Sequence, residues 1–427
     1  MRERSGSQTI TVVEERLEGE QSAPEPVASL TLKKKSVAER RREVKAVIRW
    51  RRENGEHRKS PNAASLLLAA LRESLLARVE AETAVVLRFQ RYFAFNYYTR
   101  LYFVIYTTLF DEVCYTALFP CVAWTMSPIA GVHLGFFVAL SFYAGSSLKD
   151  LLHLPRPPVP PVFRPATHLD LEFGCPSTHA MNAVLIPAAL TLFYVRPHSL
   201  AELFTVSPLS SLLVVLALVW LAANVSLSRV VLGFHTPTDI WAGLALALVL
   251  LGVSVYFDLA AQLAHCLVHV RSLLVPAGVI LAGVLMLVVY PLRGMNNPAF
   301  VDLIGVVCAS AGYFLLLWAL GVRDEHVPFA DAFTSSSLSA LSLWQRAQLG
   351  AARTVVGVVV LLLGKSLSRY LSTRALTLLL WLVIPAQRLS VAQRESVALF
   401  GSKCVAYLTL GLLTHLCNHS LFEMIHL

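Results

Sequence analysis

Long apolar runs separated by short polar stretches make up most of this chain after residue 100. Eight of the runs are close to the length of about 20 residues that an α-helix needs to cross a bilayer. They are Leu101–Trp124, Ile129–Leu148, His179–Tyr194, Leu209–Leu227, Pro237–Phe257, Leu273–Tyr290, Phe300–Leu320 and Phe400–Cys417. The pattern predicts an all-α fold, a polytopic transmembrane helical bundle with about eight or nine membrane helices.

Two of these stretches carry charges that complicate the prediction. Leu101–Trp124 is interrupted by Asp111 and Glu112, for which pairing inside the bundle is favoured over a catalytic role. A further stretch, Val355–Ile384, has three cations in its middle, namely Lys365, Arg369 and Arg374. It is compatible with two short helices, with one span plus a surface helix, or with a re-entrant pair.

The first hundred residues follow a different pattern. Residues 1–62 are polar and form a basic tail that we expect to be disordered. Residues 63–100 set leucines against arginines, which is typical of an amphipathic helix lying on a membrane surface. Ten basic residues between Lys33 and Arg52 favour a cytoplasmic N-terminus that touches anionic membrane lipid.

Composition narrows the function classes. The chain is 56% hydrophobic and 15% charged with a formal net charge of +9, which favours a membrane protein over a nucleic-acid-binding one, so we expect no nucleic acid partner. Its seven cysteines form no CxxC pair, which argues against a zinc site and against a disulfide framework. The sequence gives no indication of the oligomeric state.

Polar residues cluster where the second to fifth spans begin or end. The first two clusters share one connecting loop, and the third span leaves that membrane face while the fourth returns to it. All three clusters are therefore predicted to lie on the same face. The residues are Lys149 and Arg156, then Ser177, Thr178 and His179, and finally Arg229, His235 and Asp239. Cations and a helix N-terminus can bind phosphoryl oxygens, and a histidine oriented by a carboxylate can attack phosphorus. The pattern therefore indicates phosphate-ester chemistry at a membrane surface.

The spacing of these residues resembles the type-2 phosphatidic acid phosphatase superfamily. The chain has K-x6-RP from Lys149 to Pro157, PSTH from Pro176 to His179, and SR-x5-H-x3-D from Ser228 to Asp239. Thr178 stands where the general pattern has Gly, and Pro-Ser-Thr-His followed by Ala-Met is similar to the sphingosine-1-phosphate phosphatase branch. The resemblance implies a phosphatase core at residues 101–260 and additional transmembrane helices at residues 261–427.

The resemblance also implies roles for individual residues. His235 would form a phosphohistidine, His179 would protonate the leaving group and Asp239 would orient His235. Lys149, Arg156, Ser177, Thr178 and Arg229 would bind the substrate phosphate, without a metal or another cofactor.

The implied activity is hydrolysis of long-chain base phosphates, with a lipid phosphate as substrate. Phosphatidate and isoprenoid (di)phosphates remain alternative substrates. A membrane transporter or an inactive lipid-phosphate-binding protein remains an alternative of another class.

The implied location is the endoplasmic reticulum membrane with a lumenal active site. A cytoplasmic N-terminus followed by two spans would instead return Lys149 to the cytoplasm. Three resolutions stay open: Leu101–Trp124 is a broken hairpin, Ala84–Tyr98 is an extra crossing, or the terminus is not cytoplasmic.

Overall fold

The computed structural model describes most of the chain from residue 63 onward, namely residues 63–93, 96–109, 112–165, 172–195, 208–291, 297–321, 342–383 and 390–424. The predicted disordered tail at residues 1–62 lies outside the described residues, as does Asp111.

The described residues form α-helices and one π-helical turn. The helices are α1 (Ala63–Phe93), α2 (Tyr97–Thr108), α3 (Glu112–Thr125), α4 (Pro128–Leu152), α5 (Thr178–Val195), α6 (Pro208–Val231), α7 (Pro237–Tyr256), α8 (Leu259–His269), α9 (Leu274–Val289), α10 (Pro298–Leu320), α11 (Leu343–Val383) and α12 (Val391–Leu416), followed by the π-turn Cys417–Leu421 and the short α13 (Phe422–Met424).

The all-α membrane bundle is confirmed. Within the described ranges, six helices are long and apolar enough to cross a membrane, and α8 and α9 are shorter apolar helices. The predicted eight or nine membrane helices therefore hold approximately. The sequence pattern did not predict α8, which follows α7 after a two-residue break.

Helix α4 is the central element of the bundle, and α10 runs antiparallel to it. The Tyr313 hydroxyl donates to the Pro128 carbonyl (2.8 Å) at one end of this pair, while the side-chain amide of Asn297, the N-cap of α10, donates to the Asp150 carboxylate at the other. We call the end with Asp150 the site end and the end with Pro128 the far end. At 1.5 Å per residue, the 25 residues of α4 separate the two ends by about 37 Å, enough to cross a bilayer core.

The first predicted span is wrong as a single helix. Leu101–Trp124 is divided between α2, which ends at Thr108, and α3, which begins at Glu112. Helix α2 begins at the site end, where Phe103 packs in one cluster with Val231 and Phe234. Trp124 near the end of α3 donates its indole N–H to the carbonyl of Thr414 (2.8 Å). Together α2 and α3 make one broken crossing, and not a hairpin.

The predicted surface helix at residues 63–100 is likewise two elements, α1 and the start of α2. Helix α1 packs against the protein, since Val79 and Val86 on it are buried.

The ambiguous stretch Val355–Ile384 is continuous helix as far as Val383, so none of the three predicted arrangements is found there. Helix α11 has 41 residues and a length of about 62 Å, twice the thickness of a bilayer core. Lys365 is accommodated in its middle because the ammonium lies over the Tyr407 ring of α12, 4.1 Å from the centroid.

Candidate active site

The first motif straddles the end of α4. Lys149 lies in the last turn, and the helix stops at His153, which has left-handed backbone (φ 51°). Buried Leu152 and Leu154 anchor the chain on either side of this turn, and Arg156 follows. Lys149 and Arg156 are both buried. Because buried cations are costly unless paired, their position indicates a site built to hold an anion.

The second motif forms the start of α5 and meets the other two motifs there. The Ser177 amide donates to the carbonyl of Asp239 (3.0 Å), which joins the second motif to the third. The Lys149 ammonium donates to the Thr178 hydroxyl (3.2 Å), which joins the second motif to the first. Amide N–H groups in the first turn of a helix favour bound anions, and two hydroxyls lie beside them here.

His179 lies in the first turn of α5, close to the same cations. The positive charges of Arg229, Lys149 and Arg156 all act on its ring. The two candidate catalytic histidines are also close enough for the charge of His179 to act on His235. Both histidines therefore lie close to the same three cations, Lys149, Arg156 and Arg229.

The third motif runs from the end of α6 into α7. Arg229 lies in the last turn of α6, and Gly233 then takes a positive φ of 73°, a conformation that glycine adopts without a steric penalty. The chain turns there and presents His235. Thr236 caps α7 in a capping box, with its hydroxyl on the Asp239 amide and the Asp239 carboxylate on the Thr236 amide (2.8 Å). This box fixes Asp239 one turn after His235.

The contacts of His235 identify which of its ring nitrogens carries the proton. Arg156 Nη1 lies 3.2 Å from His235 Nε2. A guanidinium only donates hydrogen bonds, so Nε2 accepts, and the proton of the neutral ring is on Nδ1. Nδ1 faces Asp239 Oδ2 at 3.5 Å, at the outer limit for a hydrogen bond. Such distances are typical of unliganded active sites and shorten when substrate binds.

Arg229 makes two contacts that fix its guanidinium. Nη1 donates to the Thr107 hydroxyl of α2 (2.6 Å), and the guanidinium carbon lies 4.1 Å from the centroid of the Phe234 ring. The sequence pattern did not mark Thr107, because a threonine in an apolar helix carries no signal of its own.

Glu172 is a further site residue that the sequence did not reveal. Arg156 Nη2 donates to Glu172 Oε2 (2.8 Å), and Lys149 Nζ lies 3.9 Å from the same oxygen. Burial opposes the charge of this carboxylate, but Lys149 and Arg156 outweigh it and hold the pKa of Glu172 below its ordinary value. The described residues thus contain an anion on two of the predicted phosphate-binding cations.

Burial is also the largest influence on the pKa values of His235 and Cys175. Burial, followed by the positive charges of Arg156 and Arg229, lowers the pKa of His235 well below its ordinary value. The imidazole is therefore neutral at neutral pH. Burial and then the Asp239 carboxylate raise the pKa of Cys175 to about 12, so this cysteine stays a thiol.

The structure thus describes all the predicted site residues and brings them to the site end. They are Lys149, Arg156, Ser177, Thr178, His179, Arg229, His235 and Asp239.

Comparisons with known proteins agree with this geometry. Residues 130–262 match the PAP2 superfamily. Human sphingosine-1-phosphate phosphatase 2 is 27% identical over 82% of this chain and 82% of its own length. A probable sphingosine-1-phosphate phosphatase of Dictyostelium discoideum is 32% identical over 42% of this chain and 43% of its own. No solved structure gives a significant match.

These similarities cover the three motifs as well as helices on both sides of them. The chain contains a PAP2 superfamily domain at residues 130–262, is similar over most of its length to human sphingosine-1-phosphate phosphatase 2, and is a phosphoric monoester hydrolase.

Proposed function

We propose that this enzyme hydrolyses the phosphate monoester of a long-chain sphingoid base, such as sphingosine 1-phosphate, through a phosphohistidine intermediate on His235. The observation that carries the proposal is the chain of contacts from Arg156 through His235 to Asp239. The Nε2 lone pair accepts a hydrogen bond from Arg156, and a phosphoryl group that draws this guanidinium N–H to its own oxygens frees the lone pair to attack phosphorus.

In the first step, His235 Nε2 attacks phosphorus, and the bond between phosphorus and the lipid oxygen breaks. His179, as the imidazolium that the negative charge of the bound phosphate stabilises, gives its proton to the departing alkoxide and becomes neutral, and Asp239 stabilises the charge that develops on the His235 ring. The phosphoryl oxygens are held by the predicted phosphate-binding residues, namely Lys149, Arg156, Ser177, Thr178 and Arg229. Their charge stabilises the transition state without a metal ion.

In the second step, water attacks phosphorus and the P–N bond breaks. His179 accepts the proton of that water, so both histidines return to their starting states and inorganic phosphate leaves. The overall reaction consumes one water and releases the free long-chain base.

The substrate assignment is supported by the similarity to proteins named sphingosine-1-phosphate phosphatase in human and Dictyostelium discoideum. The apolar helices around the site support a substrate that stays in the membrane. We further propose that the enzyme is a multi-pass protein of the endoplasmic reticulum with its site on the lumenal face.

The test compares wild-type enzyme with His235→Ala in detergent micelles. We expect wild type to release inorganic phosphate from sphingosine 1-phosphate at least tenfold faster than from phosphatidate or an isoprenoid phosphate. His235→Ala should abolish release while substrate still binds. Faster release from phosphatidate would overturn the substrate assignment, and undiminished release by His235→Ala would overturn the mechanism. Binding without turnover by wild type would favour the transporter or binding protein.

A further inference from the structure

Helix α1 lies outside the region that matches the PAP2 superfamily, yet it contacts the segments that carry the first and third motifs. Three of its polar side chains, Arg72, Glu82 and Gln90, hydrogen-bond to groups of these segments. With 3.6 residues per turn, they share one face of the helix within about 80° of arc.

Arg72 binds the end of α4. Its Nε donates to the carbonyl of Leu152 (3.0 Å), in the helix whose last turn carries Lys149. A cation at a helix C-terminus satisfies free carbonyls and favours the helix dipole. Leu75 and Leu76 pack beside it against a buried cluster that includes Leu152.

Gln90 joins two other segments of the site. Its Nε2 donates to the carbonyls of Phe163 (2.6 Å) and Val231 (3.1 Å), and its Oε1 accepts from the Phe163 amide (3.0 Å). Val231 ends the helix that carries Arg229. Gln90 is only 8% exposed, so its amide is committed to these backbone groups.

Glu82 binds the first turn of α7. Its Oε2 accepts from the Thr238 amide (2.8 Å), and its Oε1 accepts from the Thr238 hydroxyl (2.6 Å). The next amide, that of Asp239, is already satisfied by Thr236. Glu82 therefore completes the hydrogen bonding of the turn that sets the carboxylate of Asp239 against His235.

We infer that α1 is a positioning helix for the catalytic motifs, and that Glu82 is a positioning residue that acts through Thr238 on Asp239 and His235. This inference rests on the proposed roles of His235 and Asp239. Glu82 does not contact the phosphate site itself, so it should affect the chemical step more than phosphate binding. Partners that orient a functional group commonly contribute 10- to 100-fold.

The experiment uses the full-length enzyme and follows release of inorganic phosphate from sphingosine 1-phosphate. Glu82→Ala should lower kcat at least tenfold, while the inhibition constant of orthovanadate, a probe of the phosphate site, changes less than twofold. Glu73→Ala is the matched control, because Glu73 is an exposed carboxylate on the same helix. Glu82→Gln keeps an oxygen acceptor for the Thr238 amide and should recover part of the lost kcat.

Thr238→Val removes one of the two hydrogen bonds and provides a second route if Glu82→Ala does not fold. It should lower kcat by itself, and Glu82→Ala should cost less in its background than in wild type. Glu82→Ala with the same kcat as Glu73→Ala would overturn the inference, as would an equal loss of kcat and vanadate affinity. Active His235→Ala would instead overturn the proposed function, so the two failures are distinguishable.

Discussion

At the scale of single residues, the carboxylate of Glu172 contacts the same cations that an anionic ligand would contact. Its carboxylate binds Arg156 and faces Lys149, two of the cations that we assign to the substrate phosphate. A phosphoryl group that binds these cations must share them with Glu172 or displace it. Because its pKa is lowered, Glu172 remains ionised throughout the neutral pH range, and we expect it to compete with phosphate there.

We therefore predict that Glu172→Gln tightens the binding of inorganic anions. The inhibition constant of orthovanadate should fall about tenfold, equivalent to ~1.4 kcal/mol. It is measured from inhibition of phosphate release, with Glu172→Asp as the control that keeps the charge. An unchanged or weaker inhibition by vanadate would show that Glu172 holds Arg156 in place and does not compete with phosphate.

The site residues differ in how far the sequence can reveal them. His235 and Asp239 are recognisable because a capped helix start fixes their spacing along the chain. Glu172, Thr107 and Glu82 reach the site only through tertiary contacts, across 16 residues from Arg156, 122 from Arg229 and 156 from Thr238. No local pattern encodes such distances, so sequence reasoning misses these residues.

At the scale of elements, the apolar runs predicted the helices with uninterrupted hydrophobic character well. The predicted span Pro237–Phe257 corresponds to α7 (Pro237–Tyr256), where Thr236 and Pro237 mark the start. Where charges interrupt an apolar run, the sequence pattern does not show whether the helix ends or continues. Leu101–Trp124 is described as two helices, the second of which begins at Glu112, whereas α11 is continuous through Lys365, whose ammonium has an aromatic partner on α12.

Helix α7 also supports the second motif through a glycine. A Cβ on Gly243 would lie 2.5 Å from the carbonyl oxygen of Ser177 and 3.3 Å from its amide nitrogen. Both contacts are with backbone, which cannot rotate away as a side chain can. Since the Ser177 amide is also bonded to Asp239, the close approach of α7 and Ser177 holds two motifs in register.

We predict that Gly243→Ala separates these motifs. It should lower kcat/KM for phosphate release at least tenfold and destabilise the protein by about 1–3 kcal/mol, as overpacking does. Gly252→Ala is the matched control on the same helix, because a Cβ there meets nothing within 4 Å. Thermal unfolding and phosphate release measured on both variants check the prediction, and equal behaviour of the two would contradict it.

At the scale of the whole molecule, a lumenal site conflicts with a cytoplasmic N-terminus followed by two spans. The structure excludes two of the three explanations for this conflict, the hairpin and the extra crossing. The chain crosses once from α2 to α3 and returns through α4, so the broken crossing is not a hairpin. Residues Ala84–Phe93 belong to α1, where Gln90 is bonded at the site end, so this segment is not an extra crossing. Helix α1 and the active site therefore share one face of the membrane.

A lumenal site then requires a lumenal α1, although the basic cluster between Lys33 and Arg52 favours a cytoplasmic location by the positive-inside rule. That rule is a statistical bias in short loops near membrane spans, whereas the contacts of Arg72, Glu82 and Gln90 tie α1 directly to the site end. The contacts fix only the shared face, so a cytoplasmic site would agree with the charge pattern and the proposed lumenal site would go against it.

The prediction is that α1 and the loop after Arg156 are labelled from the lumenal side. Single cysteines at Glu73, at Val159 and at Ser272, all exposed, are introduced into a cysteine-free protein in sealed microsomes. Ser272 lies at the far end, beside Arg271, which bonds to the carbonyl of Trp318 near the end of α10. An impermeant maleimide should label Ser272→Cys at once, and Glu73→Cys and Val159→Cys only after the membrane is opened. Labelling of Glu73→Cys and Val159→Cys from opposite sides would contradict the shared face. Labelling of both in sealed microsomes would keep the shared face and place the site in the cytoplasm.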